Sequence, residues 1–266
     1  MSALIEIRNL TVAYDGIPTV TDASLDLNYG EVLAIVGESG SGKSTLARAL
    51  LGIAPVQDGR ITFDGQPLPV HARDRSSATR RRFGMVFQDS GSAFNPRFTI
   101  GKILEEPLVL AGMSRRSVRR KIIFSLLNDV GLGPDYLTRY PNELSGGQRQ
   151  RVGIVRALAC DPDVLICDEA VSALDVSVQA QILNLLVDIQ DRRKLALVFI
   201  THDLSVVEYL ADRIAVMKQG RIVEQNLADV FLDGPEHPYS QALLAAQSPF
   251  KLDPPANAQS FNHAMM

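Results

Sequence analysis

Four short runs of this chain are apolar without alternation: residues 32–36, 84–87, 164–167 and 196–200. Each is too short for a buried helix and is bounded by polar or glycine-containing segments, so each predicts a strand covered on both faces, the habit of parallel sheets. Between and after them the period changes. Residues 100–110, 114–130, 149–159, 178–191 and 204–210 repeat their apolar positions three and four apart, which predicts amphipathic helices. The first part, with strands at 4–7 and at 60–63 between the turns Asp58-Gly59 and Asp64-Gly65, is β-rich. Residues from about 90 to 161 are mostly helical, and strand alternates with helix from Pro162 on. Residues 213–217 and 221–224, with Gln219-Gly220 between, predict a terminal hairpin. The fold class is therefore α/β: a mostly parallel sheet with an antiparallel β part and a helical insertion. Residues after about 250, with Pro254-Pro255, read as a loose tail.

Chemistry sits at the ends of these runs. Gly37-Glu38-Ser39-Gly40-Ser41-Gly42-Lys43-Ser44, followed by Thr45, fits G-x-x-x-x-G-K-[ST] and joins a strand to a helix. Glycines let backbone N–H groups close around phosphate oxygens at a helix N-terminus, Lys43 adds a charge, and the Ser44 hydroxyl suits Mg²⁺. Leu144-Ser145-Gly146-Gly147-Gln148 precedes the 149–159 helix, so a second set of amides and a hydroxyl meets a helix N-terminus. Asp168 and Glu169 end the 164–167 run. Paired acids at a strand end fit a metal-facing carboxylate beside a proton acceptor, although a solvated strand terminus reads the same way. Gln88 and His202 follow two other strands; a lone histidine there is more often a satisfied polar residue. Tyr14, before Asp15-Gly16, is open to a core, surface or ligand-stacking role.

Taken together and in this order, these segments resemble the ATP-binding cassette (ABC) ATPases, from about residue 5 to about residue 247. The resemblance implies a single nucleotide-binding domain over residues 1–250, a P-loop core with the helical subdomain of about 90–161 inserted, and a tail at 251–266. It implies ATP and Mg²⁺ as ligands, with catalytic roles for Lys43, Gln88, Glu169 and His202. Nucleotide contacts fall to Tyr14, Gly37, Glu38, Ser39, Gly40, Ser41, Gly42, Lys43, Ser44 and Thr45, and across a head-to-tail dimer to Ser145, Gly147, Gln148 and Asp175. Metal contacts fall to Ser44, Gln88 and Asp168. The family usually has Pro-Thr after the catalytic glutamate; here Ala170-Val171 stands, which predicts altered loop stiffness with chemistry intact. Phe87-Gln88-Asp89 with Phe94-Asn95-Pro96-Arg97, residues 175–181, and Glu236-His237-Pro238-Tyr239-Ser240 resemble the subfamily serving dipeptide, oligopeptide and nickel importers. Peptide and nickel both stay open, with peptide the expectation. The implied partners are two membrane permease subunits, a second ATPase subunit (identical or paralogous) and, indirectly, an extracytoplasmic binding protein.

Composition narrows the classes. A chain of 266 residues, 46% hydrophobic, has the material for a large core. A net charge of −3 and the absence of Trp give no case for nucleic acid. No apolar stretch reaches the ~18 residues of a membrane span and no signal run opens the chain, so the expected place is peripheral, on the cytoplasmic face of the inner membrane, through partners. Cys160 and Cys167 are expected as reduced, buried packing residues, and no iron–sulfur centre is expected. Arg73, Arg75, Arg80, Arg81 and Arg82 are expected on a solvated loop and helix face. A soluble ABC ATPase acting on ribosomes or DNA, and a nucleotide-dependent regulatory module without turnover, are the competing readings. Single-cassette length opposes the first, and intact Gln88, Glu169 and His202 oppose the second.

Overall fold

The computed structural model describes residues 3–88, 91 and 93–246. The chain begins with β1 (Ile5–Tyr14), β2 (Ile17–Leu27), β3 (Val32–Val36), α1 (Lys43–Leu50), β4 (Val56–Phe63), β5 (Gln66–Pro67), α2 (Ser77–Arg81) and β6 (Phe83–Val86). It goes on through α3 (Ile100–Leu110), α4 (Arg116–Asp129) and α5 (Gly146–Leu158). Then come β7 (Val164–Asp168), α6 (Val176–Arg193), β8 (Ala196–Ile200), α7 (Leu204–Leu210), β9 (Arg213–Lys218), β10 (Arg221–Leu227), α8 (Ala228–Asp233) and α9 (Pro238–Ala246).

Two sheets result. One is antiparallel in the order β2-β1-β4-β5; the other runs β10-β9-β3-β8-β7-β6 and is parallel except for its β10 edge. Three of the four unalternating runs became its central strands, with every residue of β3, β7 and β8 buried, whereas the run at 84–87 lies on the β6 edge, where Met85 is half-buried and Phe87 exposed. Their two faces are visible in where side chains go. Leu197 and Phe199 join a core with Ile103, Leu104, Leu126, Val152 and Leu186, on the helical side. Val198 and Ile200 join a second core with Leu46 and Leu50 of α1 and Ile5 and Ile7 of β1. Ala34 and Val36 face a third, smaller core under α7 and α8 with Leu204, Phe231 and Tyr239.

The register sets the site. Ile35 pairs with Ile200, Asp168 with Ile200, and Val86 with Cys167, so the carboxyl ends of β3, β8, β7 and β6 lie level. Ligand-facing loops of an open α/β sheet emerge there.

Further expectations change. Asp58-Gly59 does not end a strand: β4 runs through it, the register with β1 shifts between Arg8↔Arg60 and Thr11↔Asp58, and Gly59 takes φ 92°, a bulge that kinks the strand without stopping it. The arginine run is a solvated face at Arg73 and Arg80 but not throughout. Arg75 is buried and donates to the Pro69 and Leu50 carbonyls at 2.7 and 2.6 Å. Arg82 pairs with Asp64 at 2.9 Å and with Asp163, and lies over the Phe63 ring. Cys167 is buried, and Cys160 only partly so.

Phe199 is fully buried on β8, one residue before its carboxyl end. Phe199→Ala should lower unfolding free energy by about 3–5 kcal/mol in a urea titration followed by circular dichroism.

Candidate nucleotide site

The loop from Gly37 to Gly42 leaves β3 and enters α1 under tight constraint. Gly37 has φ 147°, and a Cβ there would come within 2.1 Å of the Met217 carbonyl; Gly42 has φ 104°, with the Thr19 carbonyl at 2.8 Å from a Cβ. Only glycine fits either position. Gly42 caps α1 without a side-chain bond, so the first-turn N–H groups have no side-chain acceptor at the cap. The loop is braced from below by the β9–β10 hairpin, whose Gly220 N–H donates to the Ser41 carbonyl at 2.9 Å and whose Gly220 carbonyl accepts from Thr21.

Lys43 turns back into this cradle and is 5% exposed. Its Nζ donates to the Gly37 and Glu38 carbonyls, each at 2.8 Å. Burial holds the ammonium below its ordinary pKa, and the charges of Glu169, Asp168 and Glu38 work against that shift. Next to it, the Ser44 hydroxyl donates to Asp168 Oδ1 at 2.8 Å. Burial raises the Asp168 pKa, the Ser44 bond lowers it, Glu169 raises it, and Arg48 and Lys43 lower it; the net shift is upward.

Glu169 joins three strand ends. Its backbone turns through φ 48°, and its N–H donates to the Ile200 carbonyl at 3.0 Å. Gln88 Nε2 donates to Glu169 Oε2 at 2.8 Å, and His202 Nδ1 lies 3.7 Å from Oε1. Lys43, Ser44, Gln88, Asp168, Glu169 and His202 are thus brought to one edge of the sheet from the ends of β3, β6, β7 and β8. Asp89 lies outside the described residues. Behind Glu169, Ala170 and Val171 are buried in the helical-side core, which explains why apolar residues sit there.

The Ser145 segment is built on other neighbours. Ser145 and Gln148 form a capping box at α5: Gln148 N–H donates to Ser145 Oγ at 3.3 Å and Ser145 N–H to Gln148 Oε1 at 3.0 Å. Gln148 Nε2 reaches the Tyr136 hydroxyl at 3.0 Å. A Cβ on Gly147 would meet Val178 Cγ1 at 2.5 Å. Asp175 caps α6, accepting from Val178 N–H at 3.0 Å and Ser177 Oγ at 2.8 Å; the Val178 bond and then the Ser177 bond hold its carboxyl below the usual range. Tyr14 closes β1 at the antiparallel sheet, exposed beside its turn.

The comparisons with known proteins agree on one family. A family model described as ABC transporter matches residues 20–172. The chain is 48% identical to a "Probable peptide ABC transporter ATP-binding protein" of Sinorhizobium fredii, covering 92% of this chain and 72% of that one. It is 47% identical to the "Dipeptide transport ATP-binding protein DppF" of Escherichia coli, covering 90% and 70%. Among solved structures, cbiO1 of Clostridium perfringens, part of the cbiONQ ABC transporter complex, superposes with a TM-score of 0.78 at 29% identity over 88% of this chain and 93% of that one. The dimeric ATP-binding cassette MJ0796 bound to ADP and Pi gives 0.74 at 29% identity over 84% and 98%.

The Gly147 packing is testable apart from any activity. Gly147→Ala should cost about 1–3 kcal/mol by overpacking against Val178. Gly146→Ala, whose Cβ would sit 3.5 Å from Leu174, should be close to neutral in the same thermal melts.

Proposed function

Because the chain belongs to the ABC transporter family, we propose that it is the ATP-hydrolysing subunit of an importer for di- or oligopeptides. The observation carrying this reading is the joining of Ser44 to Asp168 and of Glu169 to Gln88 and His202 around a glycine loop that buries Lys43. The names of the relatives given above favour peptide over nickel.

The loop's N–H groups at the start of α1 and Lys43 bind the phosphates; Lys43 exchanges the Gly37 and Glu38 carbonyls for phosphate oxygens. Ser44 and Asp168 form an all-oxygen pair that suits Mg²⁺, with the Gln88 amide oxygen as a third donor. Among the described residues no group of three or more His, Cys, Asp or Glu is placed to hold a metal. A small hard cation held by these oxygens would need further ligands from outside the chain. Held there by Ser44, Asp168 and Gln88, Mg²⁺ would supply positive charge against the phosphates. Glu169 orients the attacking water and accepts its proton, Gln88 and His202 hold the carboxylate in place, and His202 faces the γ-phosphate.

Residues 1–250 serve as one nucleotide-binding domain, with the 90–161 helical subdomain inserted. In a head-to-tail pair, Ser145, Gly147 and Gln148 of one subunit close over the ATP held by Lys43 of the other, and Asp175 joins the two sites. Tyr14 stacks on the adenine. No helix among the described residues is long and apolar enough to cross a membrane, so the membrane is reached through two permease subunits fed by an extracytoplasmic binding protein. A groove of about 460 Å³ is lined by Phe87, Phe94, Leu110, Arg156 and Cys160, and in this reading the permease docks there. The subunit works at the cytoplasmic face of the inner membrane.

Glu169→Gln should retain ATP binding and lower turnover by ~10²–10⁴ in a phosphate-release assay with purified protein. Unchanged turnover would remove Glu169 from its assigned role. Uptake of a labelled dipeptide and of nickel ion, measured in cells carrying Lys43→Ala, should fall for the dipeptide alone; loss of nickel uptake alone would move the substrate to the metal.

A further inference from the structure

Tyr239 lies on α9, far in sequence from every phosphate-facing segment, yet its hydroxyl accepts the backbone N–H of Glu38 at 3.1 Å. Glu38 is the second residue of the glycine loop, and the carbonyl of this same residue holds Lys43 Nζ at 2.8 Å. One residue of the loop is therefore fixed on its N–H side by the C-terminal helix while its carbonyl engages the site's lysine.

The phenol is itself well placed. Tyr239 is 9% exposed, its ring packs in the core with Leu204, Val207 and Phe231, and Lys218 Nζ lies 4.7 Å from the ring centroid. Lys218 ends β9, immediately before the hairpin tip whose Gly220 N–H supports Ser41. The start of α9 is tied down as well. Pro238 opens the helix, where a missing N–H costs nothing. His237 Nδ1 accepts from Tyr239 N–H at 3.1 Å. The Glu224 carboxylate of β10 accepts from the N–H groups of Glu236 at 2.8 Å and His237 at 3.1 Å. Hairpin and helix together grip the loop at Ser41 and at Glu38.

We propose that Tyr239 is a positioning residue for ATP binding, acting through Glu38 to hold the loop in the shape that receives phosphate. It rests on the ATP-site reading above. A loop whose N–H groups already converge loses less conformational freedom on binding, so the hydroxyl contributes to affinity without touching the nucleotide. The Glu236-His237-Pro238-Tyr239-Ser240 segment thereby acquires a structural role, since it sets the height and tilt at which the phenol meets the loop.

Tyr239→Phe keeps the ring and its packing and removes only the bond to Glu38; Tyr239→Ala removes both. In the full chain, Tyr239→Phe should raise the Kd for a fluorescent ATP analogue and the KM for ATP about three- to tenfold, the usual weight of one hydrogen bond, with kcat within about twofold of wild type. Exchange of the Glu38 amide, followed by hydrogen–deuterium exchange, should rise in the same variant. Wild-type Kd and KM in Tyr239→Phe, with loss confined to Tyr239→Ala, would reduce Tyr239 to packing and overturn the proposal. So would an unchanged Kd with a lowered kcat. A wild-type chain that bound no ATP would instead sink the reading of the site itself.

Discussion

An ammonium group taken out of water has to be met by oxygen atoms at close range, and Lys43 imposes that demand on the whole sheet edge. Two of its partners are carbonyls of its own loop, which is possible only because the loop folds back over the side chain, with Gly37 and Gly42 lying against the Met217 and Thr19 carbonyls. Its other support is charge. Asp168 and Glu169 come near because β7 and β8 stop level with β3, and a slip of one residue in the Ile35↔Ile200 or Asp168↔Ile200 pairing would turn their side chains to the other face. The parallel register, the full burial of the central strands and the glycines of the loop are thus one constraint seen at three levels.

The same geometry leaves opposite needs side by side. Burial disfavours the charged form of Lys43, so the lysine gains from an anion; burial likewise disfavours the ionised form of Asp168, so that carboxylate gains from a cation. A bare polyphosphate would satisfy the first and repel the second. A bare divalent cation would do the reverse. In the proposed reading a polyphosphate carrying a divalent cation answers both.

Much of this could be read from residue order because it is local. The runs at 32–36, 164–167 and 196–200 lack alternation for the reason that became visible in space: one face meets α1 and the antiparallel sheet, the other the helices. Gln219-Gly220 gave the hairpin, since both residues sit at positive φ. The start of α5 at Gly146 was also within reach, because Ser145 and Gln148 have capping-box spacing. What escaped depends on distant partners. Arg75 looks like any surface arginine until the Leu50 carbonyl is placed above it. Asp58-Gly59 has the composition of a turn, and only the neighbouring β1 makes it a bulge. Tyr239 carried a subfamily resemblance but no hint that its hydroxyl would find Glu38.

The two helix ends assigned to phosphate in the proposed site are not equivalent, and the difference bears on how a pair of subunits would close. Gly42 offers α1 no side-chain acceptor, so its first-turn donors are kept for a ligand. At α5, Ser145 and Gln148 already spend part of their capacity on each other, and Gly147 is packed against Val178. An end whose cap offers no side-chain acceptor gains more from an incoming anion. An end partly satisfied within its own chain gains less from the same anion. In the proposed dimer the second contact is therefore the weaker one, and it is the contact that must be released once the γ-phosphate leaves. A cycle that opens and shuts needs this inequality, and it is built into the residues that cap two helices.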